Sequence, residues 1–434
     1  MALNSTAIAS LEIEGIQKQF PELLKFSTRL YSKLGKNVRT MQVGTTAYRL
    51  PLQYGRPAAM AVGSLDGGIY PLGDVSKWNK GSISPFVLFF GTNWTKLVEL
   101  VGVAKDAVAI KNVVEKNMAD LADQVKSGCN KLLHTDGQGT LAIVSSIDTG
   151  NALVTVTTTG LGARLLEAGM VVEVDTNATK AKRGTFTIDA VQNVIGGTQV
   201  FHYSASTGTA TSCTSTDRIR VSGVADTTPI ATYGLPYYIN NSTTGTIIGI
   251  TKSSTTPYTI SNALDAGGGQ LNQPIVEALI NIIQGRIGSG ENNPMSGGFF
   301  HWHRSQKTSY SELGWQLQTI PMASGQAPSE LDLFFGGGNG TDTYKLCGYP
   351  THIDDHADNT AIYFVQPEGW GKVQYGDGPF WADPIPGSKI YPIYDSSGQP
   401  TAAFGATMVV TEQFYCDNVL TQGVLSNLGL PAFQ

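Results

Sequence analysis

Hydrophobic residues recur every three or four positions over a long stretch in the first third of the chain. The pattern runs from Val103 to Leu132 and predicts an amphipathic α-helix with one buried stripe. The stripe consists of Val103, Ala107, Ile110, Val113, Val114, Met118, Leu121, Val125, Cys129 and Leu132. At about 1.5 Å per residue this helix is about 45 Å long, which is more than a compact domain usually needs. The length indicates a structural spine.

Downstream of this helix, short β-type runs alternate with turns as far as Gly223. The runs cover residues 141–147, 153–157, 170–174, 185–191, 199–203 and 218–221. Strands of this length, separated by Gly or Asp turns, predict a small barrel or a sandwich.

Upstream of the helix, residues 48–92 lack helical spacing and are punctuated by glycine and proline. Alternate positions are apolar at both ends of the segment: Tyr48, Leu50 and Leu52 on the way out, and Phe86, Leu88 and Phe90 on the way back. The period predicts a two-stranded ribbon in which these two stretches form the arms. An isolated ribbon is barely stable, so its apolar residues need a covering surface, either on a second molecule or on their own domain.

The two ends of the chain and its last third have mixed patterns. Residues 1–47 predict an arm, whose apolar stripe (Leu23, Leu24, Leu30, Tyr31 and Leu34) stops at Gly35. The arm is basic between Gln17 and Thr40, which suits either an acidic partner or a solvated helix face. Further on, we expect strands in 230–250, 346–353, 361–365 and 371–414, and helices at 274–287 and 305–317.

Several short sequences carry a family resemblance. Residues 130–142 end the spine helix as Asn-x-x-Leu-x-x-Asp-Gly-x-Gly-x-Leu-Ala, and related pieces follow in order at 165–171, 183–188, 217–223, 248–253 and 346–351. Together they span residues 85–365, and their order resembles that of the major capsid proteins of tailed bacteriophages, which have the Hong Kong 97-type shell fold. Each piece alone is a weak signal.

The resemblance implies an α+β fold of the Hong Kong 97 type with an inserted all-β domain. Its parts would be an N-terminal arm (1–47), an E-loop hairpin (48–92), a P-domain with the spine helix (93–139), the inserted domain (140–223), an A-domain (224–365) and P-domain return strands with the C-terminus (366–434). In this family the E-loop lies across the adjacent subunit. The expected contacts between subunits are therefore Tyr48, Leu50, Leu52, Lys77, Trp78, Lys80, Phe86 and Leu88.

The same resemblance implies partners and a location. The chain would assemble in the cytoplasm of a host bacterium into hexamers and pentamers of itself, and end in the virion capsid. Because no long charge-rich leader precedes the arm, a separate scaffolding protein is expected, with a portal and a decoration protein as further partners. Lys77 and Lys80 lie where some relatives form cross-links, but no Asn or Asp partner can be assigned and we expect no cross-link.

Composition and charge agree with a shell subunit. Of the 434 residues 41% are hydrophobic, only 15% are charged, and the formal net charge is −5. This charge gives no overall attraction to nucleic acid, so packaged DNA would be contacted only weakly. The four cysteines form no Cys-x-x-Cys pair, and we expect reduced thiols. No signal peptide or apolar run long enough for a membrane span occurs.

One cluster of residues supports an enzymatic alternative. His301 and His303 flank Trp302, and His352 and His356 flank two aspartates, so these side chains could hold a metal ion for a hydrolase. Neither cluster has an established metal-binding spacing such as His-Glu-x-x-His, which favours ordinary polar loops. We therefore expect no cofactor and no enzymatic activity. A phage tail protein, which could share the Thr- and Gly-rich β content, is the other alternative.

Overall fold

The computed structural model describes residues 29–41, 46–55, 75–95, 113–193, 197–224, 231–287, 295–310, 345–376, 379–382, 390–395 and 397–431. Within them, α-helices lie at Arg29–Leu34 (α1), Val113–Leu132 (α2, the spine helix), Leu235–Tyr238 (α3) and Gln273–Ile287 (α4), and residues 304–310 are also helical. Short 3-10 helices lie at Ala210–Ser212, Pro257–Thr259, Pro367–Gly369 and Val419–Thr421.

The strands form two six-stranded sheets, a closed barrel and two two-stranded sheets. In chain order they are Val38–Met41 (β1), Tyr48–Gly55 (β2), Lys77–Ile83 (β3), Phe86–Thr95 (β4), Thr140–Asp148 (β5), Leu153–Val156 (β6), Val171–Asp175 (β7), Lys182–Asn193 (β8), Gln199–Gly208 (β9), Arg218–Val221 (β10), Thr246–Ile247 (β11), Ile250–Thr251 (β12), Asn262–Asp265 (β13), Phe299–Trp302 (β14), Lys345–Leu346 (β15), Tyr349–Ile353 (β16), Ile362–Val365 (β17), Trp370–Tyr375 (β18), Phe380–Trp381 (β19), Tyr391–Tyr394 (β20), Pro400–Cys416 (β21) and Gly423–Ser426 (β22).

The central sheet is organised around the long strand β21. Strand β4 pairs with it antiparallel along one edge, from Ala403↔Thr95 to Glu412↔Phe86. The opposite edge is shared by β18, β19 and β20, and β1 joins β18 in parallel. Apolar residues of β4 and β21 face the spine helix and form one core with it. The prediction that the last strands flank the spine helix is thus confirmed.

The spine helix is described from Val113 to Leu132, and residues 103–112 of the predicted helix lie outside the described residues. Its end is fixed by local contacts, because the hydroxyl of Thr135 donates to the carbonyl of Leu132 at 2.8 Å. Gly137 then takes a positive φ of 81° and packs against Tyr233, where an added Cβ would lie 2.7 Å from Cδ1. Only glycine fits such a turn without strain.

Residues 140–221 form a closed antiparallel barrel with the strand order β10-β5-β6-β9-β8-β7. Its interior is a separate apolar core that includes Val144, Val174, Phe186 and Phe201. Inside the barrel wall, the guanidinium of Arg220 contacts the carboxylate of Asp175 at 2.8 Å, and both side chains are buried. The sequence predicted all six strands of this barrel.

The second six-stranded sheet has the order β13-β22-β17-β14-β16-β15. Helix α4 packs on it through Val276, Leu279 and Ile283, which share a core with Phe300 and Phe364 of the sheet. Helix α4 lies where the sequence predicted a helix.

Two predictions about pairing and element type were wrong. The return arm of the ribbon is β3, not the Phe86–Phe90 stretch, because β2 pairs with β3 while β4 pairs with β21. Residues 231–250, expected as strands, contain helix α3 and only the two-residue strands β11 and β12. Pro236 at the first turn of α3 favours a helix start there.

Candidate functional site

The ribbon of β2 and β3 has two different faces. One face carries Tyr48, Leu50 and Leu52 and is partly covered by the chain's own residues. The contacts that hold it include a hydrogen bond from the Ser82 amide to the carbonyl of Ile248, at 2.8 Å. Near the described end of the ribbon, Tyr54 stacks on Tyr258 with ring centroids 4.5 Å apart. The alternative of a hairpin packed on its own domain therefore holds for the base of the ribbon.

The opposite face of the ribbon is open to solvent. Trp78 is 59% exposed and stands opposite Gln53, and Lys80 stands opposite Pro51 on the same face. Lys77 is also exposed, at the end of the pairing next to a bulge. Of the eight residues predicted to contact a second subunit, Trp78 and Lys80 point away from their own chain, and Lys77 is exposed opposite Gly55.

The other five predicted contact residues are engaged within the chain to different degrees. Tyr48, Leu50 and Leu52 are half-buried, and Phe86 is half-buried against the core around the spine helix. Leu88 is buried in that core, so it is corrected here from an inter-subunit contact to a core residue of the subunit.

The outer face of the central sheet is a second exposed apolar surface. Along β4, the even-numbered residues face the spine helix, and Val87 and Phe89 point the other way, as the two-residue period of a strand requires. Phe89, Val409 and Phe380 stand side by side on three neighbouring strands. Phe89 is 71% exposed and Phe380 48%. We call Val87, Phe89 and Phe380 the outer-sheet patch.

The described part of the arm is anchored to its own subunit by a buried polar network. Lys372 Nζ lies 2.9 Å from Glu412 Oε2, and the hydroxyl of Tyr31 donates to the same oxygen at 3.0 Å. The amide of Tyr31 donates to the side-chain oxygen of Asn130 at 3.0 Å. Burial and the neighbouring Glu412 carboxylate raise the pKa of Tyr31, so its hydroxyl stays protonated and can donate. The arm is thus held to both the central sheet and the spine helix.

A second buried polar cluster lies where the end of the spine helix meets the second sheet. The Nε2 atoms of His134 and His301 are 2.9 Å apart, and Nδ1 of His301 is 2.9 Å from Nδ1 of His352. The Asn130 side-chain amide donates to Oδ2 of Asp354 at 3.0 Å. Nε2 of His134 lies 3.8 Å from the same carboxylate oxygen.

Burial disfavours the charged form of the imidazoles in this cluster. Burial lowers the pKa of His134, and burial together with repulsion from His134 and His352 lowers that of His301. Burial also lowers the pKa of His303 to about 3 and that of His356 to about 4. For Asp354 burial alone would raise the pKa, but the surrounding histidines and the Asn130 amide outweigh it and lower the pKa.

The structure brings together most of the histidines that the sequence singled out. His301 and His352 are register partners on the parallel strands β14 and β16. His303 is buried but turns to the hydroxyl of Ser305, at 3.0 Å. His356 lies beside Asp354, with Nδ1 3.9 Å from Oδ1.

Sequence reasoning missed Asn130, in the last turn of the spine helix, and His134, two residues after its end at Leu132. The available signal was that both polar residues closely follow the apolar stripe of Leu121, Val125 and Cys129. No property of the sequence showed that this stretch would meet strands more than 160 residues away.

Within the described residues, no helix has the length and apolar character needed to span a bilayer.

Comparisons with known proteins address the fold. No protein-family model matches the sequence, and a search of curated proteins finds no match. The structure is similar to a chain of the cyanophage A-1(L) capsid asymmetric unit, with a TM-score of 0.52 and 13% identity over 98% of this chain and 99% of that one.

Two further solved structures align over nearly the whole chain at lower similarity. The holo-SrpI encapsulin complex from Synechococcus elongatus PCC 7942 gives a TM-score of 0.45 at 8% identity, with 100% of this chain and 99% of that chain covered. The capsid of a native GTA particle gives 0.45 at 10% identity, with coverages of 99% and 100%. The cyanophage comparison establishes that this α+β chain has a phage capsid fold, as the sequence pieces predicted.

Proposed function

We propose that the chain is the major capsid protein of a tailed bacteriophage, which self-assembles into the icosahedral shell that encloses double-stranded DNA. The observation that carries this proposal is the likeness of the fold to a cyanophage capsid chain over the length of both chains. A shared fold alone permits several functions, so the surfaces of the subunit must also suit assembly.

We assign the parts of the structure to the Hong Kong 97-type plan. In this assignment the ribbon is the base of the E-loop, and the spine helix with the central sheet is the P-domain. The second sheet with helix α4 is the A-domain. The barrel of residues 140–221 is the inserted domain.

Two exposed surfaces suit contacts between identical subunits. Trp78 on the ribbon and Phe89 in the outer-sheet patch are large, exposed apolar side chains on consecutive strands. Monomeric soluble proteins rarely expose such groups close together, and where they do the surface usually binds a partner. A closed shell repeats each contact many times by symmetry, so individually weak contacts add up to a durable particle. We assign Trp78, Lys77 and Lys80 of the ribbon and the outer-sheet patch to contacts within and between hexamers and pentamers.

Other partners follow from this role. A scaffolding protein, a portal and a decoration protein remain predictions, as do assembly in the bacterial cytoplasm and a final location in the virion capsid. The net charge of −5 favours only weak contact with packaged DNA.

Neither alternative function gains support from the described residues. The four histidines of the hydrolase alternative are all buried, with exposed fractions of 0 to 8%, so a substrate has no route to them. A catalytic metal needs an open coordination position that substrate or water can reach. No described feature favours a tail protein over a shell protein.

The assembly surfaces can be tested by mutation. The purified full chain is concentrated, and particle formation is followed by light scattering and sedimentation for the parent, Trp78→Asp and Phe89→Asp. We expect both variants to remain folded by circular dichroism and to lose assembly, because each places a charge on a surface that must be desolvated.

A matched control is Val171→Asp, which changes an apolar side chain of comparable exposure, 46%, on the outside of the barrel. We expect it to assemble like the parent. If both test variants assemble as well as the parent, the assigned surfaces are wrong. If the parent forms nothing larger than a small oligomer even when it is produced together with its scaffolding protein, the shell function itself is wrong.

A further inference from the structure

The buried histidine cluster contains three donor atoms in positions suited to one metal ion. Nε2 of His134, Nε2 of His301 and a carboxylate oxygen of Asp354 lie within 4.8 Å of one another. The two nitrogens are 2.9 Å apart, and Nε2 of His134 is 3.8 Å from Oδ2 of Asp354. Tetrahedral zinc with bonds of about 2.0–2.1 Å holds its ligand atoms about 3.3 Å apart. Shifts of about 1 Å would therefore give a coordination geometry.

The surroundings of His134 and His301 orient the right nitrogen atoms. Nδ1 of His134 lies 2.8 Å from the carbonyl of Asn130 and must donate to it, since a carbonyl cannot donate. This fixes the tautomer of the neutral ring and leaves the lone pair on Nε2. Nε2–H of His301 then donates to Nε2 of His134 in the metal-free chain. Metal binding would move this proton to Nδ1 of His301, which lies 2.9 Å from Nδ1 of His352 and would donate to it. Metal-binding histidines are oriented in this way by hydrogen bonds from the second ring nitrogen.

The carboxylate of Asp354 is similarly positioned. Its Oδ2 accepts from the Asn130 amide at 3.0 Å, and its Oδ1 accepts from the backbone amide of His356 at 2.9 Å. A buried carboxylate needs a compensating cation. Among the described residues, the basic groups within 4 Å of it are the imidazoles of His134 and His356.

We propose that His134, His301 and Asp354 bind a structural zinc ion, which joins the end of the spine helix to the second sheet. Imidazole and carboxylate donors suit zinc, and a fully buried site fits a structural ion rather than a catalytic one. The fourth position is taken by His356 or by a water molecule. The three ligands come from the turn after the spine helix, from β14 and from the loop after β16, so the ion stabilises a junction between distant parts of the chain.

The test measures metal on the unassembled, tag-free full chain, so its outcome is independent of whether shells form. Elemental analysis by mass spectrometry is expected to find about one zinc per chain. After removal of zinc by a chelator, the thermal midpoint should fall, and added zinc should restore it. Cobalt added to the metal-free chain should give the visible absorption bands of a tetrahedral site.

Variants separate a coordinated ion from an adventitious one. Asp354→Asn is nearly isosteric and keeps a partner for Asn130, and His301→Gln removes the second nitrogen, so both should lose stoichiometric zinc and the cobalt bands. His352→Phe removes only the group that orients His301 and should weaken zinc binding about 10–100-fold.

His202→Gln, on the exposed barrel surface, is the matched histidine control and should bind zinc like the parent. The proposal is overturned if the parent binds no zinc, or if Asp354→Asn and His301→Gln retain it.

Discussion

Replacing Lys372 by methionine should release the arm from the central sheet. Lys372 is the cation of the buried network that includes Glu412 and Tyr31, and its Nζ is 2.9 Å from Glu412 Oε2. The lysine and glutamate side chains are only 9% and 2% exposed, so neither charge is well solvated. Methionine keeps most of the length and apolar volume of the lysine stem while removing its charge.

The expected cost follows from the burial of the remaining charge. Removing one partner of a buried ion pair typically costs about 3–5 kcal/mol, because the other charge stays desolvated. Local unfolding can reduce this cost, since opening of helix α1 and strand β1 would let water solvate the Glu412 carboxylate. We therefore expect the free energy of local opening of residues 29–41 to fall by about this amount. The equilibrium constant for opening should then rise roughly a hundred- to several-thousand-fold.

Hydrogen exchange of the backbone amides of α1 and β1 measures this opening directly. The control is Lys126→Met, which removes a surface ion pair with Asp123 whose side chains are 58% and 57% exposed. Such a pair contributes about 0–1 kcal/mol, so exchange in the arm should not change. In the double variant with Glu412→Met, which removes both charges, most of the protection should return. The reasoning is refuted if Lys372→Met accelerates exchange in residues 29–41 no more than Lys126→Met does.

Two further substitutions test packing elsewhere in the subunit. Gly128→Ala should lower the free energy of unfolding in urea by about 1–3 kcal/mol, because the added Cβ would lie 2.6 Å from Cε1 of Phe90. This loss should outweigh the higher helix propensity of alanine. A stabilised variant would contradict the packing of the spine helix on β4. Arg220→Met should cost about 3–5 kcal/mol, because it removes the cation that faces the buried Asp175 carboxylate inside the barrel wall. Its effect on hydrogen exchange should be concentrated in residues 140–221, and unchanged exchange there would contradict the ion pair.

Local patterns predicted the elements whose burial repeats at a regular period. The stripe of Leu121, Val125, Cys129 and Leu132 is buried against the central sheet, as the helical spacing required. All six barrel strands were found because each contains a run of β-type residues next to a turn, although β8 and β9 extend well beyond the predicted runs. In both cases the signal lies within a few residues of sequence.

Pairing partners and the histidine cluster depended on contacts distant in sequence. The alternation of Phe86, Leu88 and Phe90 correctly indicated a strand, but the period does not say which strand is the neighbour, and β21 begins more than 300 residues later. The cluster was partly visible as His301 and His352. His134 joins it only because the spine helix ends against the second sheet, which no local pattern encodes.

The most direct test of the shell function is electron cryo-microscopy of the purified full chain at increasing protein concentration. The account predicts closed hollow particles, or rings of five and six subunits, in which the exposed face of the ribbon with Trp78 lies against a neighbouring subunit. Tubes, trimeric spikes or a population that stays monomeric at the highest concentration even with the scaffolding protein present would contradict it.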